Sequence, residues 1–293
     1  MPDHQTLQDT SQTAAASTSP VVVYDQVTQA WELLLGEDLH FGLFDSPDIA
    51  LPVATAKLTR HLADRAQLKQ YMEVLDAGCG IGGPACFLAQ EIGCRVTGIS
   101  TSSVGVQIAT SRAAAQGLSA RVEFLVRDAM ANELPAASFD CAWVMESSHL
   151  MERKGWLFAE CTRVLRPGGR LILCDILVRR TIPFQYVVRN LTEFENLNRV
   201  FGKQHVDLPE NYVQVAEKAG LKVLDTEDIS EAVLPTLDHW ARNAERHNDA
   251  VAQLVGEEYL EQFVRACAFL RRLWKEGWLG YGVLRAEKPS HLS

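Results

Sequence analysis

The sequence predicts an α/β fold in which seven strands form a mostly parallel sheet. Two observations predict it: short apolar strands alternate with helical patterns along most of the chain, and the first strand runs into a glycine-rich loop that precedes a helix. At 293 residues, the chain is long enough for one such domain with elaborations, or for one domain with a small cap.

The glycine-rich loop lies in the stretch Glu73–Pro84. Val74 and Leu75 form a short apolar strand, and four glycines follow within six residues. The composition of Ala85–Ala89 predicts a helix directly afterwards. Glycine lets a ligand lie against bare main chain, and the amides and dipole at a helix N-terminus favour anionic or electron-rich groups. We therefore predict a ligand site at this loop.

The spacing of the glycines is compatible with a dinucleotide. Gly78, Gly80 and Gly83 satisfy the pattern G-x-G-x-x-G, which in dinucleotide-binding proteins is followed by an acid at the end of the second strand. Here the second strand, Arg95–Ile99, runs into Ser100–Ser103 and carries no acid at its tip. A nicotinamide oxidoreductase is therefore the weakest of the functions considered.

An acid stands instead before the glycines, at Asp76. The string Leu75–Gly82 resembles motif I of the class I S-adenosylmethionine (SAM) methyltransferases, which have a Rossmann-like fold. In that family the acid and the glycine amides hold the methionine part of the cofactor, so the resemblance implies that Asp76, Gly78 and Gly80 bind SAM. A purely structural turn is the remaining alternative.

The region before the first strand is predicted to be a tail followed by a helical lid. Residues 1–20 are rich in Ser, Thr, Ala, Gln and Asp and lack apolar periodicity, which predicts disorder. Residues 21–70 are assigned to the lid, with helices predicted at Ala30–Leu35 and at Ala54–Gln70.

A second resemblance concerns this lid. The pair Tyr24-Asp25 and the later string Gly36–Gly42 resemble the N-terminal lid of small-molecule methyltransferases of the rebeccamycin sugar O-methyltransferase type. In that group a tyrosine and a His-x-Gly segment close over SAM, so the match places Tyr24, His40 and Gly42 near the cofactor. Plain aromatic packing is the alternative.

Residues 71–180 are predicted to form the SAM-binding core. Further strands are predicted at Val122–Val126, Asp140–Met145 and Arg170–Ile176, and a helix at Trp156–Leu165. Strands that alternate with helices form a parallel sheet with right-handed crossovers, and ligands bind at the carboxyl ends of its strands.

A cap insertion over the substrate is predicted for residues 181–211, which interrupt this alternation. They carry aromatic side chains on segments that read as helices, and we expect Phe184, Tyr186 and Phe201 to contact the substrate. Ordinary apolar packing would explain any one of them equally well.

Residues 212–293 are predicted to hold the last strands and further cap helices. The sixth strand is expected at Leu221–Leu224 and the last at Tyr281–Ala286, with a long helical stretch, Ile229–Leu273, between them. The resemblance to the methyltransferase family implies that the last two strands form an antiparallel edge.

The ends of the second and third strands are expected to bind the nucleoside of SAM. The family resemblance assigns to Asp128 a hydrogen bond from the adenine amino group, with Ala129 and Met130 against the ring; a turn aspartate is the alternative. Ser100 and Thr101 are expected at the ribose.

The ribose site departs from the family pattern. Close relatives carry a glutamine at the position that Gly105 occupies here, and Gln107 lies two positions later. The usual glutamine contact with the ribose is therefore in doubt.

The end of the fourth strand carries the predicted chemistry. Glu146-Ser-Ser-His149 resembles the Glu-Ser-x-His of rebeccamycin-type enzymes, in which the histidine is the general base, and Asp175 matches their aspartate at the end of the fifth strand. A carboxylate fixes the tautomer of a histidine and strengthens it as a base. Glu146 is expected to contact SAM or hold the loop, and a merely structural histidine is the alternative.

Charge and cysteine content bound the partners and the compartment. The net charge is −9 and no dense Lys/Arg run occurs, which argues against a nucleic-acid substrate. Seven cysteines, an odd number, match neither a disulfide framework nor zinc spacing, so no metal is expected and the chain is predicted to be cytoplasmic and reduced. No signal peptide or membrane span is expected, whereas an aromatic lid could exchange between subunits of a homo-oligomer.

The function predicted from these residues is SAM-dependent O-methylation of a small, largely apolar natural product, with His149 as base and Asp175 orienting it. C-methylation of a prenyl alkene or an aromatic ring carbon is the second hypothesis, since aromatic faces stabilise cations. A SAM-binding protein without catalysis is the third, and the presence of both His149 and Asp175 argues against it.

Overall fold

The computed structural model describes the backbone of residues 20–290 and the side chains of residues 27–290. The predicted tail before Pro20 and the side chain of Tyr24 lie outside this range. Within the described chain, no helix is both long and apolar enough to cross a membrane.

Seven strands form one sheet in the described range. They are β1 Glu73–Ala77, β2 Arg95–Ser100, β3 Val122–Val126, β4 Phe139–Met145, β5 Leu165–Val178, β6 Lys222–Asp228 and β7 Leu279–Glu287. Their spatial order is β3-β2-β1-β4-β5-β7-β6, and only β7 runs antiparallel to its two neighbours, β5 and β6. The predicted α/β class with a mostly parallel, seven-stranded sheet is confirmed.

Twelve α-helices occur in the described residues and lie on both faces and at one end of the sheet. They are α1 Pro20–Leu35, α2 Leu51–Ala66, α3 Gly83–Phe87, α4 Ser103–Ala115, α5 Lys154–Val164, α6 Phe184–Arg189, α7 Leu191–Phe201, α8 Pro209–Lys218, α9 Ser230–Val233, α10 Pro235–Arg246, α11 Asn248–Val255 and α12 Glu257–Lys275. A single turn of π-helix, Leu88–Ile92, continues α3.

The strand β4 shows why the sheet is buried on both faces. Cys141, Trp143 and Met145 pack into one apolar cluster with residues of α1, α2 and α10–α12, whereas Ala142 and Val144 pack into a second cluster with α5 and α8. Successive side chains of a strand point to opposite faces, so a continuous apolar run buries both faces at once.

Most predicted strands agree with the structure, and the differences lie at element ends. β5 begins at Leu165 rather than at Arg170, because Phe139 pairs with Leu165 ahead of a bulge in the β4–β5 register. The stretch Ile229–Leu273 is divided into four helices, α9–α12, with breaks at Leu234, His247 and Gly256.

A group of helices covers the carboxyl ends of the strands and is here called the cap: α1, α6, α7 and α10–α12. Hydrogen bonds tie three of them together, because Trp31 Nε1 donates to the Tyr259 hydroxyl at 3.0 Å, which donates to the Val200 carbonyl at 3.1 Å. Below them, Phe41 stacks among Trp240, Trp274 and Tyr281 with ring centroids 4.7–5.7 Å apart.

Candidate active site

The carboxyl ends of β1–β4 enclose a cavity of about 350 Å³, here called the cofactor cavity. It lies where the strand order switches between β1 and β4, the usual ligand position in such sheets. Ten side chains or glycines predicted to bind the cofactor line it: His40, Asp76, Gly78, Gly80, Ser100, Thr101, Asp128, Ala129, Met130 and Glu146. Gly42 does not line the cavity. It packs against Ala54 instead, and a Cβ at position 42 would lie 2.6 Å from the Cβ of Ala54.

Gly78 is required by packing. Its φ is +104°, and a Cβ would lie 2.2 Å from the Cβ of Ser147, whose hydroxyl donates to the Ala77 carbonyl at 2.6 Å. The Gly78 amide already donates to the Ile99 carbonyl at 2.9 Å. Gly78 therefore contributes a bare surface and a close approach between the loop after β1 and the loop after β4, and its amide is not available to a ligand.

Two buried polar atoms on side chains that line this cavity have no hydrogen-bond partner in the described structure. Asp76 Oδ2 is one, and burial raises the pKa of Asp76 to about 7. His40 Nε2 is the other: Nδ1 bonds to the Phe41 carbonyl at 2.7 Å, and burial lowers the pKa of the ring. Two unfilled acceptors suit a ligand that brings hydrogen-bond donors and positive charge. SAM brings an ammonium group, ribose hydroxyls and a sulfonium, so these residues fit it.

The side of the cavity that the sequence assigned to the nucleoside of SAM carries the side-chain oxygens of Asp128 and Ser100. Asp128 Oδ1 accepts from the Met130 amide at 2.8 Å, as a turn aspartate does, and the side chain is exposed. Ser100 Oγ accepts from the Ser102 amide at 3.2 Å. Gln107 is exposed on α4 and does not line the cavity.

A second cavity of about 470 Å³ lies between the sheet and the cap, and is here called the substrate cavity. Its wall is largely apolar, and the polar lining side chains are Glu146, His149, Glu195, Asn198 and Gln204. Leu39, Glu146 and Leu150 line both cavities, so the two meet at these three residues.

Glu146 is held rigidly at this meeting point. Its Oε1 accepts from the Phe41 amide at 2.8 Å and from the Tyr281 hydroxyl, and burial raises its pKa to about 8. Its backbone is left-handed, with φ +47°, and so is that of Leu39, with φ +56°. Non-glycine residues in this region are strained and persist only where the surroundings hold them, often at functional sites.

His149 and Asp175 form a dyad on the floor of the substrate cavity. His149 Nδ1 lies 2.6 Å from Asp175 Oδ1, and the His149 amide donates to Asp175 Oδ2 at 3.0 Å. A carboxylate only accepts, so Nδ1 carries the proton and Nε2 is the basic nitrogen. Burial lowers the pKa of His149, but the charge of Asp175, its hydrogen bond to the ring and the charge of Glu146 together outweigh burial and raise that pKa above 6.5.

The predicted substrate aromatics occupy different places. Phe201 lines the substrate cavity, between Trp31, Trp240 and Phe263. Phe184 is 80 % exposed, and Tyr186 donates to Glu276 at 2.6 Å beside Trp278; neither lines the cavity.

Several lining residues were not predicted. Asp38 and Ser147 line the cofactor cavity and Trp31 and Trp240 the substrate cavity. Asp38 lies in the string Gly36–Gly42 and Ser147 in the string Glu146–His149. Both strings resemble family motifs, and this resemblance could have indicated the two residues. Trp240 comes from α10 and carried none.

No group of three or more His, Cys, Asp or Glu side chains that could hold a metal ion occurs among the described residues. The seven cysteines, all within the described range, are buried and form no disulfide.

Comparison with known proteins places the chain in a family. Residues 74–169 match the model of a family described as "Methyltransferase domain". The chain is 34 % identical to the methyltransferase GfsG of Streptomyces halstedii, over 91 % of this chain and 92 % of that protein. It is 35 % identical to the 27-O-demethylrifamycin SV methyltransferase of Amycolatopsis mediterranei (strain S699), over 91 % and 95 %.

Among solved structures, the chain is similar to the crystal structure of the [4+2]-cyclase SpnF. The TM-score is 0.81 at 28 % identity, and the match covers 95 % of this chain and 98 % of that one. The sheet order, the cofactor cavity and the full-length relatives agree, and the chain belongs to the class I SAM-dependent methyltransferases of the natural-product group.

Proposed function

We propose that this methyltransferase transfers the methyl group of SAM to a hydroxyl oxygen of a largely apolar natural product, with His149 as the general base. The observation that carries the proposal is the His149–Asp175 dyad, in which His149 lines the substrate cavity beside Leu150, a residue shared with the cofactor cavity, and buried Asp175 lies behind it. A base at this position can meet a substrate hydroxyl at the boundary between the two cavities.

When bound, SAM supplies an electrophilic methyl group on a positively charged sulfur. Asp76 and His40 would accept hydrogen bonds from its polar groups, and Asp128 and Ser100 line the side assigned to the nucleoside. Four acids, Asp38, Asp76, Asp128 and Glu146, and one arginine, Arg127, line this cavity. A cationic ligand would favour the ionised forms of Asp76 and Glu146, whose pKa values burial raises to about 7 and about 8.

His149 would remove the hydroxyl proton through Nε2. Asp175 holds Nδ1 protonated, which leaves Nε2 with a free lone pair and stabilises the ring once it has taken up the proton. The His205 amide also donates to the His149 carbonyl at 2.6 Å, so both backbone and ring are fixed. A base held in a fixed position reduces the entropy cost of aligning the reacting groups, and this cost is a large part of the activation barrier in group transfer.

The cavity lining indicates the substrate class. Its wall is made largely by leucines, isoleucines, valines and aromatic rings, while Glu195, Asn198 and Gln204 add polar groups that do not belong to the dyad. Such a wall suits an apolar scaffold with a second polar region, as in a hydroxylated polyketide. The name of the rifamycin relative specifies a substrate that lacks one O-methyl group, and this supports an oxygen atom as the methyl acceptor.

The proposal is tested with purified enzyme, SAM and 27-O-demethylrifamycin SV, followed by a panel of hydroxylated polyketides and glycosides. We expect a product heavier by one methyl group, located on oxygen by NMR. His149→Ala should lower kcat on the order of 100-fold or more and leave SAM affinity unchanged in calorimetry. Full activity in His149→Ala would refute the general-base role.

The pH profile gives an independent check. Because only neutral His149 can act as base, kcat should fall as pH falls through the pKa of His149, which the Asp175 carboxylate holds above 6.5. Asp175→Asn removes the charge that raises this pKa, so the acidic limb should move to lower pH while the maximal rate drops. An acidic limb that stays in place in Asp175→Asn would contradict the pairing.

C-methylation is the second candidate, favoured by the aromatic rings of Trp31, Phe41 and Trp240 on the cavity wall. Aromatic faces stabilise the cation that an alkene forms when it gains a methyl group. A prenylated substrate methylated on carbon would establish it. The same assay reports a change of structure without a change of mass, the outcome expected of a cyclase, and so separates all three reactions.

A further inference from the structure

We propose that Tyr212 and Ser148 are positioning residues that form a one-way hydrogen-bond relay into Asp175 and thereby limit the basicity of His149. The inference rests on the proposed role of His149 as the base. Both residues lie outside the substrate and cofactor cavities, so they act only through the dyad.

The relay is buried along its whole length. Tyr212, on α8, is 2 % exposed, and Ser148 and Asp175 are fully buried. The Tyr212 hydroxyl lies 3.1 Å from Ser148 Oγ, which donates to Asp175 Oδ2 at 2.5 Å. Tyr212 packs edge-on against Phe158 in the apolar cluster on the α5–α8 face of the sheet, away from the cap.

The direction of the relay follows from the number of protons. An ionised carboxylate can only accept, so Ser148 must give its single hydroxyl proton to Asp175. Ser148 Oγ then faces the Tyr212 hydroxyl as an acceptor, and Tyr212 is the donor. Hydrogen bonds in such a chain polarise one another, so the tyrosine strengthens the bond from Ser148 to Asp175.

Asp175 distributes its charge over four donors. Oδ1 accepts from His149 Nδ1 and from the Ile176 amide at 2.8 Å, and Oδ2 accepts from Ser148 and from the His149 amide. Each donor that leaves makes the carboxylate a stronger partner for the remaining ones. Loss of the Ser148 bond should therefore tighten the hold of Asp175 on the proton of His149.

The charged groups around the relay act on His149 in both senses, since Asp175 and Glu146 favour its protonated form and Lys154 opposes it. His149 faces Asp175, Glu146 and Lys154, and Tyr212 faces Asp175 and Asp207. Lys154 lies with Nζ 5.5 Å from the Tyr212 ring centroid and donates to the carbonyls of Met151 and His205. Its positive charge opposes protonation of His149, as the relay does.

The experiment is an NMR titration of the imidazole of His149 in the whole protein without substrate, assigned with His149→Asn. We expect Ser148→Ala to raise the pKa of His149 by about one unit, and Tyr212→Phe to raise it by a smaller amount in the same direction. Because the two act in series, the double variant should match Ser148→Ala alone. In turnover, the acidic limb should shift upward with little change in KM.

Tyr259→Phe is the matched control, since it removes the hydroxyl of a half-buried tyrosine that also makes two hydrogen bonds, those to Trp31 and Val200. It should lower thermal stability and leave the titration of His149 in place. If Ser148→Ala and Tyr212→Phe lower stability and leave that titration unchanged, or shift it downward, the relay is refuted. A shifted titration together with full activity of His149→Ala would instead refute the proposed function and leave the relay intact.

Discussion

Glu146 lies where the two cavities meet, since it lines both of them. The residue combines a left-handed backbone, two hydrogen bonds into Oε1 and a carboxyl whose pKa is raised to about 8 by burial. Near neutral pH such a carboxyl is mostly protonated in the free protein, and a cation placed beside it would favour the ionised form.

Binding of SAM should therefore release protons through Glu146. We expect SAM affinity to increase as the pH rises toward about 8 and to level off above it, and calorimetry in buffers of different ionisation enthalpy should report the proton released. Glu146→Gln keeps the Oε1 acceptor and removes the titration, so its SAM affinity should change less over the same pH range.

The demethylated product, which has no positive sulfur, is the ligand control for this prediction. It should bind with less proton release from Glu146 and with a weaker dependence on pH. Equal proton release by wild type and Glu146→Gln would show that the carboxyl does not respond to the cofactor.

At the scale of single residues, the sequence located the ligand side of the site better than the support behind it. The positions of His149 and Asp175 were predictable, because His149 follows β4 and Asp175 lies in the last part of β5, each at a position that matches a known motif. Tyr212 and Tyr281 could not be predicted from the sequence. Tyr212 contacts Ser148 across 64 residues of sequence, and Tyr281 contacts Glu146 across 135. No local pattern encodes a contact of that range.

Among the elements, the loops after β1 and β4 depend on each other. The loop after β4 can approach only because position 78 lacks a side chain, as Ser147 shows by its hydroxyl bond to Ala77. Packing of one loop against the other thus shapes the floor of the cofactor cavity.

Gly78→Ala should therefore disrupt cofactor binding. The new Cβ would overlap Ser147 at 2.2 Å in a left-handed backbone, so we expect a loss of about 2–3 kcal/mol in the free energy of unfolding and at least about a tenfold loss of SAM affinity. Denaturant unfolding and calorimetry measure the two effects.

Gly117→Ala supplies the matched control for that prediction. Its φ is +70°, and a Cβ there meets no atom within 4 Å, so it carries the backbone strain without the overlap. It should cost about 1 kcal/mol and leave SAM affinity unchanged. If the two variants lose SAM affinity equally, the contact with Ser147 is not the cause.

The helices α6 and α7 follow each other closely but differ in depth. α6 has six residues and buries none of them, whereas α7 buries Asn196, Leu197 and Val200 against α12 and α1. An aromatic residue on either helix looks the same in the sequence, and only the packing separates Phe201 on the cavity wall from exposed Phe184.

Phe201→Ala and Phe184→Ala form a matched pair. Phe201→Ala enlarges the substrate cavity, so we expect a loss of about 2–4 kcal/mol in stability and a KM about tenfold higher for an accepted apolar substrate. Phe184→Ala should change stability by less than about 0.5 kcal/mol and leave KM unaltered.

Denaturant unfolding and steady-state kinetics give these values, and Phe201→Leu separates a loss of ring contacts from a general loss of folding. A KM that rises in Phe184→Ala and not in Phe201→Ala would place the substrate on the outer surface of α6.

For the molecule as a whole, the sequence predicted the sheet, its direction and the edge that carries the site. These follow from local periodicity and from the rule that parallel strands align their carboxyl ends. The position of β7 between β5 and β6, the division of α9–α12 and the course of the substrate cavity depend on contacts between distant segments. Periodicity contains no information about contacts between distant segments, so the sequence alone does not predict these three features.

Four consecutive residues, Glu146 to His149, each face a different partner: both cavities, the glycine loop, the relay and the dyad. Much of the wall of the substrate cavity comes instead from the cap helices, which are far away in sequence. Substitutions in the cap therefore leave the contacts of this tetrapeptide in place. A one-residue deletion within the tetrapeptide would instead disturb the contacts of all its residues. New acceptor molecules are consequently accessible to evolution through the cap helices, with the transfer chemistry inherited unchanged.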